Sequence, residues 1–141
     1  MTDRFAWALQ KAVYARLAGD ADLQGLAGDP PRIFDAPPPR AAFPYLTLGE
    51  TRVRVWPGVP GGLEHELRLH VFSRYEGRRE VKQILNAVYD ALQEAPLVIP
   101  GQRLVTLRFV FADIFPRGDN GVFEGVSRFR AVTHPDPLPT V

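Results

Sequence analysis

The chain has 141 residues, of which 45% are apolar and 23% charged, with a formal net charge of +1 and no cysteine. This length predicts one soluble domain that buries roughly two-thirds of the surface of the unfolded chain. The small net charge argues against a nucleic-acid binder driven by bulk charge, and the lack of cysteine excludes disulfides, thiolate nucleophiles and cysteine-based zinc sites. Neither a signal peptide nor a membrane span is expected, since no apolar run approaches about 18 residues.

Two helices are predicted at the start of the chain. The first covers residues 2–18, and a second, short helix covers residues 21–27, where Asp20 can cap its start and Gly28 ends it. The apolar stripe that indicates the first helix consists of Phe5, Leu9, Ala12, Val13 and Leu17.

Two stretches rich in proline are expected to lie largely outside regular helices and strands. Residues 28–44 contain six prolines, which remove backbone donors, so this stretch is expected to be irregular apart from a short edge strand at 32–35. Residues 135–141 contain three prolines and are expected to form an extended C-terminal tail. The remainder, residues 1–134, is predicted to be a single domain that includes the first of these stretches.

The rest of the chain alternates between strand and helix patterns. Alternating apolar and polar residues, or the apolar spacing of a helix, predict the strands 45–56 and 63–73, the helix 76–94, and the strands 103–115 and 122–134. Short connections join the strands in pairs, which favours hairpins. The predicted fold class is α+β, with a mainly antiparallel sheet of about four to five strands and two longer helices packed on one face.

Alternation along the strands assigns residues to the two faces of the sheet. Residues expected to face the helices are Val53, Val55, Leu67, Leu69, Val71, Val105, Leu107, Phe109, Phe111, Phe129 and Ala131. Residues expected on the opposite, outer face are Arg52, Arg54, Glu64, Glu66, Arg68, His70, Arg108, Glu124, Arg128 and Arg130.

The polar residues do not form a catalytic pattern. His65 and His70 are an odd number of residues apart on one strand, so they point to opposite faces and cannot share a metal. Glu64 and Glu66 share a face about 7 Å apart, a separation that acid–base catalysis can use. Because several arginines are expected on the same face, cross-strand ion pairs are the simpler interpretation. No catalytic, cofactor-binding or metal-binding residue is predicted, and no cofactor is expected.

A partner surface is the more informative hypothesis. The arginine-rich outer face is interpreted either as a solvated sheet face or as a subunit interface or weakly positive surface. Trp7 and Tyr14 of the first helix lie off its apolar stripe, which indicates either a wide buried face or a partner surface. The loops 56–62 and 115–121 are rich in glycine, as binding loops often are. The candidate interface residues are Trp7, Tyr14, Arg52, Arg54, Trp56, Arg68, Arg108, Arg117, Asp119, Arg128 and Arg130.

Several segments are similar to one known family. The strings FPYLTLGE at residues 43–50, HELRLHVFSRYEGRREVKQILNAVYDAL at 65–92 and GQRLVTLRFVFADIFPRGDNGVFEGVSRFRAVTH at 101–134 resemble the tail terminator, or tail-completion, proteins of long-tailed phages and gene transfer agents. The resemblance spans residues 5–134 without a single diagnostic motif. The family's features are not carried over to the proline-rich stretch 28–44 or to the C-terminal tail.

The resemblance implies a structural role. Such proteins form a ring, usually hexameric, that caps the head-proximal end of the tail tube, stops tube polymerisation and joins the tail to the head. The implied partners are other copies of the chain, the tail tube protein and a head–tail connector or stopper protein, while DNA passes through the lumen without tight binding. The implied location is the tail of a virion or virus-like particle, after synthesis in the bacterial cytoplasm.

Two other classes remain open. One is a non-catalytic adaptor or another small neck or head-completion protein of a phage-like particle. The other is an uncharacterised enzyme, which would need a nucleophile or metal set that the sequence does not display.

Overall fold

The structure, a computed structural model, describes residues 7–49, 52–74 and 78–138. Its helices are α1 (Trp7–Ala18), α2 (Ala21–Ala27) and α3 (Arg78–Leu92). Its strands are β1 (Ile33–Phe34), β2 (Tyr45–Leu48), β3 (Arg52–Val55), β4 (Leu63–Ser73), β5 (Gln102–Arg117) and β6 (Val122–Pro135). The first turn predicted for the N-terminal helix, residues 2–6, lies outside the described residues.

The strands form one sheet in the order β1-β2-β4-β6-β5, with β3 also paired to β4. All pairs are antiparallel except that of β1 with β2. The predicted α+β class and mainly antiparallel sheet are therefore confirmed. Within the described residues the sheet has six strands rather than four to five, because the stretch predicted as one strand over 45–56 forms two, β2 and β3.

The break between β2 and β3 comes at a glycine. Leu48 still pairs with Leu69 of β4, and Arg52 resumes the pairing opposite Glu66. The Gly49 amide donates a hydrogen bond to the Arg68 carbonyl at 2.6 Å, and a Cβ at Gly49 would lie 2.8 Å from the His70 ring. Strands β2 and β3 thus pair with the same side of β4, with a shift of one residue in register between them.

Helix α3 lies directly on the sheet, against β4, β5 and β6. As its spacing predicts, the apolar side of this helix is buried. Helices α1 and α2 contact α3. Helix α1 also lies beside β2 and β4, where the buried Val13 is next to Leu48 and Leu67. The buried apolar residues of α3 are Val81, Ile84, Leu85, Ala87, Val88, Ala91 and Leu92.

A glycine allows α3 to approach β6 closely. Gly125 lies on β6, opposite Val71 of β4 and Ile114 of β5. A Cβ added at Gly125 would lie 2.5 Å from Cγ1 of Val81 and 3.0 Å from Cδ1 of Leu85. Contacts that short do not occur between real side chains. The helix can therefore approach the sheet this closely only because residue 125 is a glycine.

Three residues predicted to face the helices are exposed instead. Val105 and Phe111 on β5 are 47% and 44% exposed, and Val55 on β3 is 75% exposed. The register of β5 shifts between Leu104 and Thr106 and again between Phe109 and Phe111. An extra residue in one strand reverses the alternation beyond it, so Phe111 lies opposite Arg128 on the outer face.

Val55 was misplaced for a different reason. It belongs to β3, a four-residue strand off the main path of the sheet that packs mainly on β4. The helices cover the centre of the sheet rather than this margin. Val55 therefore points to the predicted side of the sheet but is not buried there.

Both proline-rich stretches are tied to the domain. The guanidinium of Arg32 donates to the Pro44 carbonyl at 3.0 Å, which closes the loop between β1 and β2. At the other end, the Asp136 amide donates to the Gly101 carbonyl at 3.1 Å, just after β6 ends at Pro135. Among the described residues, no helix has both the length and the apolar character needed to cross a bilayer.

Candidate interaction surfaces

The outer face of the sheet carries an ion-pair cluster centred on Glu64. Arg54 lies opposite Glu64 in the pairing of β3 with β4, and its Nε is 2.6 Å from the carboxylate. Arg130 reaches the other carboxylate oxygen from β6, also at 2.6 Å. The hydrogen bond from Arg130, followed by that from Arg54, lowers the pKa of Glu64 below its usual value.

Glu66 forms a second cluster on the same face. Arg68 and Arg128 each place a guanidinium nitrogen 2.9 Å from the same oxygen of Glu66, and Arg52 lies opposite it on β3. Partial burial acts to raise the pKa of Glu66, but the hydrogen bond from Arg68 and the charges of the arginines outweigh it, so this pKa is lowered. Both carboxylates are held ionised as acceptors, a state suited to a structural ion pair rather than to a general acid.

The cross-strand ion pairs predicted from alternation are therefore present. Five arginines surround these two carboxylates, which leaves the centre of the outer face with an excess of positive charge. The five are Arg52, Arg54, Arg68, Arg128 and Arg130.

A third carboxylate on this face is more deeply buried. Glu124 is only 3% exposed, and it lies 2.7 Å from Nδ1 of His70 and also pairs with Arg117. Arg117 in turn stands 5.8 Å above the ring of Phe72. Arg117, predicted in the loop 115–121, is instead the last residue of β5, and these two contacts hold its side chain against the sheet.

An aromatic stack next to this group was not predicted. The rings of Phe43 and Tyr45 are 5.3 Å apart, and the rings of Tyr45 and Phe72 are stacked at 5.0 Å. Arg74 stands 4.6 Å above Phe43. These residues come from separate stretches of the chain. The alternation of Phe43 with Tyr45, the first residue of β2, was the only sequence signal for the stack.

A groove lies between α1 and the first edge of the sheet. Trp7 and Tyr14 are seven residues, about two helical turns, apart and share one side of α1. They remain 55% and 42% exposed, and with Phe34 of β1 they line an open groove of about 740 Å³. Lys11 stands 5.7 Å above the Trp7 ring. Large exposed aromatics in a concave site are typical of a binding surface.

The other edge of the sheet is open. Strand β5 has 16 residues and pairs only with β6 among the described strands. At its two bulges, Val105 and Val110 are 47% and 51% exposed. A long edge with exposed valines offers unpaired backbone groups to another chain.

The candidate interface residues therefore do not form one surface. Five arginines share the centre of the outer face, while Arg108 lies nearer the β5 edge and pairs with Glu94 at 3.0 Å. Trp56 folds over its own loop, where its ring would touch a Cβ at Gly58. Arg117 lies at the end of β5, Asp119 lies in the β5–β6 connection, and Trp7 and Tyr14 lie on α1.

The histidines are divided between the faces, as alternation predicts. His65 is buried on the helix side, with Nε2 2.9 Å from the Thr133 hydroxyl, whereas His70 is on the outer face beside Glu124. Within the described ranges, no group of three or more histidine, aspartate or glutamate side chains is arranged to hold a metal ion.

The chain is similar to known proteins in both sequence and structure. Residues 11–134 match the family described as tail completion protein gp17. One solved structure with a similar chain is described as the virion of a native gene transfer agent (GTA) particle, and that chain is 34% identical with a TM-score of 0.83. The match covers 92% of this chain and 96% of the chain in that structure. No curated protein matches the sequence.

Proposed function

Because the chain belongs to the tail completion protein gp17 family, we propose that it is a structural virion protein that caps a tail tube. Copies of the chain assemble into a ring, expected to be hexameric, at the head-proximal end of the tube. The ring stops the tube from growing and joins the tail to the head or neck. In this role the chain has no catalytic function and needs no cofactor.

The observation that carries this proposal is the likeness to a chain of a gene transfer agent virion. The two chains correspond over nearly their whole lengths at 34% identity, so the resemblance covers the complete fold rather than one motif. A virion chain of this kind assembles with other proteins of its particle. The proposed partners are the tail tube protein and a connector or stopper protein of the head.

The sheet has features that suit ring formation. A closed ring needs two unlike patches, one on each neighbour. One edge of the sheet is the 16-residue β5, whereas the opposite edge is the two-residue β1 beside the groove. These edges differ in length and in side chains, as heterologous contact requires, and pairing would cover the unpaired edge of β5.

The charge of the outer face suits a lumen that DNA passes through. Four of its five central arginines form ion pairs with Glu64 or Glu66, which weakens their contacts with phosphates although a net positive charge remains. Tight binding requires many uncompensated contacts between cations and phosphates. We therefore place the outer face, rather than the helices, nearest the DNA path.

A charged residue at the β5 edge tests the proposed assembly. Val110 lies at a bulge and is 51% exposed, so Val110→Lys is expected to leave the subunit folded while it repels pairing at the edge. Particles with this variant should have tails of uncontrolled length or tails detached from heads, as seen by electron microscopy. Gln83→Lys adds the same charge on the exposed side of α3 and should leave tails normal.

Two outcomes contradict different parts of the proposal. Tails of normal length and attachment in particles that lack the protein altogether would reject the capping role. Normal particles that contain Val110→Lys would reject only the β5 edge as a ring contact.

A further inference from the structure

We propose that the groove between α1 and β1 receives the C-terminal segment, residues 135–138, of a neighbouring copy of this chain. The inference rests on the proposed ring and names one of its subunit contacts. Its ligand is a proline-rich peptide, supplied by the neighbouring copy.

The first argument is chemical complementarity. Grooves lined by aromatic side chains bind proline-rich segments, because proline rings pack on flat aromatic faces. Trp7, Tyr14 and Phe34 provide such a lining. The C-terminal segment reads Pro135-Asp136-Pro137-Leu138 and is followed by Pro139.

The second argument is that both surfaces are uncovered within one subunit. Leu138 is 43% exposed in the C-terminal segment, and Trp7 is 55% exposed in the groove. The charges also match, since Lys11 lines the groove and Asp136 is an exposed carboxylate of the segment. Asp35, the groove's own carboxylate, accepts a hydrogen bond from Gln10.

The third argument is that the segment cannot reach the groove of its own subunit. Leu48 at the groove is paired with Leu69, which is paired with Ser127 of β6, so the groove lies level with Ser127. Pro135 is eight residues further along β6, about 26 Å at the usual rise of a strand. Asp136 is fixed to Gly101 by a hydrogen bond, and the three residues from Pro135 to Leu138 span at most about 10 Å.

A contact of this kind is heterologous, because a groove on one subunit meets a segment on the next. Repetition of the contact around an axis gives a closed ring. The contact also adds to any edge pairing of β5, since linked contacts strengthen one another through effective concentration.

Engineered cysteines test this contact in the assembled particle. The chain has no cysteine of its own, so Tyr14→Cys combined with Leu138→Cys introduces the only two thiols. A disulfide needs Cα atoms within about 7 Å, which the docked segment provides and the isolated subunit does not. Oxidised particles should give a ladder of linked subunits on a non-reducing gel, up to the order of the ring. The matched control, Asn86→Cys with Leu138→Cys, places the first thiol on the exposed side of α3 and should stay monomeric.

The outcomes separate this inference from the proposed function. Normal tails that contain the double variant without any ladder would overturn the groove contact and leave the ring standing. If the double variant fails to enter particles, Leu138→Asp decides the question in purified protein. That change should raise the concentration needed for half-maximal assembly roughly three- to tenfold, because docking can bury only the 43% of the leucine surface that one subunit leaves exposed. Assembly of Leu138→Asp at the wild-type concentration would overturn the inference.

Discussion

A methyl group added to Gly125 should destabilise the protein by forcing α3 away from β6. The new Cβ would lie 2.5 Å from Cγ1 of Val81, a short side chain that cannot swing aside. Overpacking of this kind costs about 1–3 kcal/mol, and replacing a strand glycine by alanine returns about 0.5–1 kcal/mol. We therefore expect Gly125→Ala to lower the free energy of unfolding by about 1–2 kcal/mol.

The same reasoning predicts that a second change compensates. Val81 is fully buried, so Val81→Ala alone should lower the free energy of unfolding by about 2–3 kcal/mol through lost burial and the cavity left behind. In the double variant the new methyl group occupies part of that cavity. The double variant should then resemble Val81→Ala alone, with a coupling energy of about 1–2 kcal/mol.

Urea denaturation of the four proteins, followed by circular dichroism, measures this coupling when the slope of each transition is unchanged. A distant core truncation, Leu17→Ala, serves as the control and should add to Gly125→Ala without coupling. Strict additivity between Gly125→Ala and Val81→Ala would show that α3 does not approach β6 as closely as described.

Three further results are expected from the same structure. Leu85→Ala should lower the free energy of unfolding by roughly 2–5 kcal/mol, and a loss below about half a kcal/mol would show that the assigned face of α3 is wrong. The pKa of Glu64 is lowered from 4.5 in the folded protein, so its ion pairs stabilise the fold fully above pH 4.5 and lose this effect as the pH falls through the folded pKa. Glu64→Gln should flatten the dependence of the urea midpoint on pH below 4.5, and an unchanged slope would contradict the ion-pair geometry. Arg54→Ala should change the free energy of unfolding by no more than about 1 kcal/mol, because this arginine is largely exposed, and a larger loss by urea denaturation would mean that the pair is less solvated than described.

Much of the architecture follows from patterns that the sequence displays directly. The apolar spacing of α3 and the strict alternation of β4 correctly predicted which residues are buried, because both elements lie at the centre of the fold and have no irregularity. Asp20 was also predicted correctly as a cap, and it accepts a hydrogen bond from the Leu23 amide at 3.0 Å.

The predicted burial was wrong at two kinds of position. One is a strand residue beyond a bulge, and the other is a strand residue that none of the described helices covers. The bulge at Val110 moves Phe111 to the outer face, and alternation alone cannot reveal an inserted residue. Val55 keeps its predicted direction but lies at a margin of the sheet. Burial of a strand residue depends on which helix lies above it, which is a property of tertiary packing.

The sequence identified individual residues of the candidate surfaces but not how these residues come together in the fold. The ion pairs of Glu64 and Glu66 followed from strand alternation, since residues on adjacent strands and the same face are neighbours. The groove forms because β1 lies beside α1, and the sequence pattern does not show which separate elements lie side by side. Trp7 and Tyr14 were therefore recognised as exposed aromatics, but the groove they form with Phe34 was not.

The most direct test of the proposed role is a cryo-electron microscopy reconstruction of the head–tail junction in particles that contain this chain. The account predicts one closed ring of this chain between the last ring of the tail tube and the neck, with the helices outward and the outer sheet face toward the DNA path. Density for the chain along the whole tube, or its absence from the junction, would contradict the account.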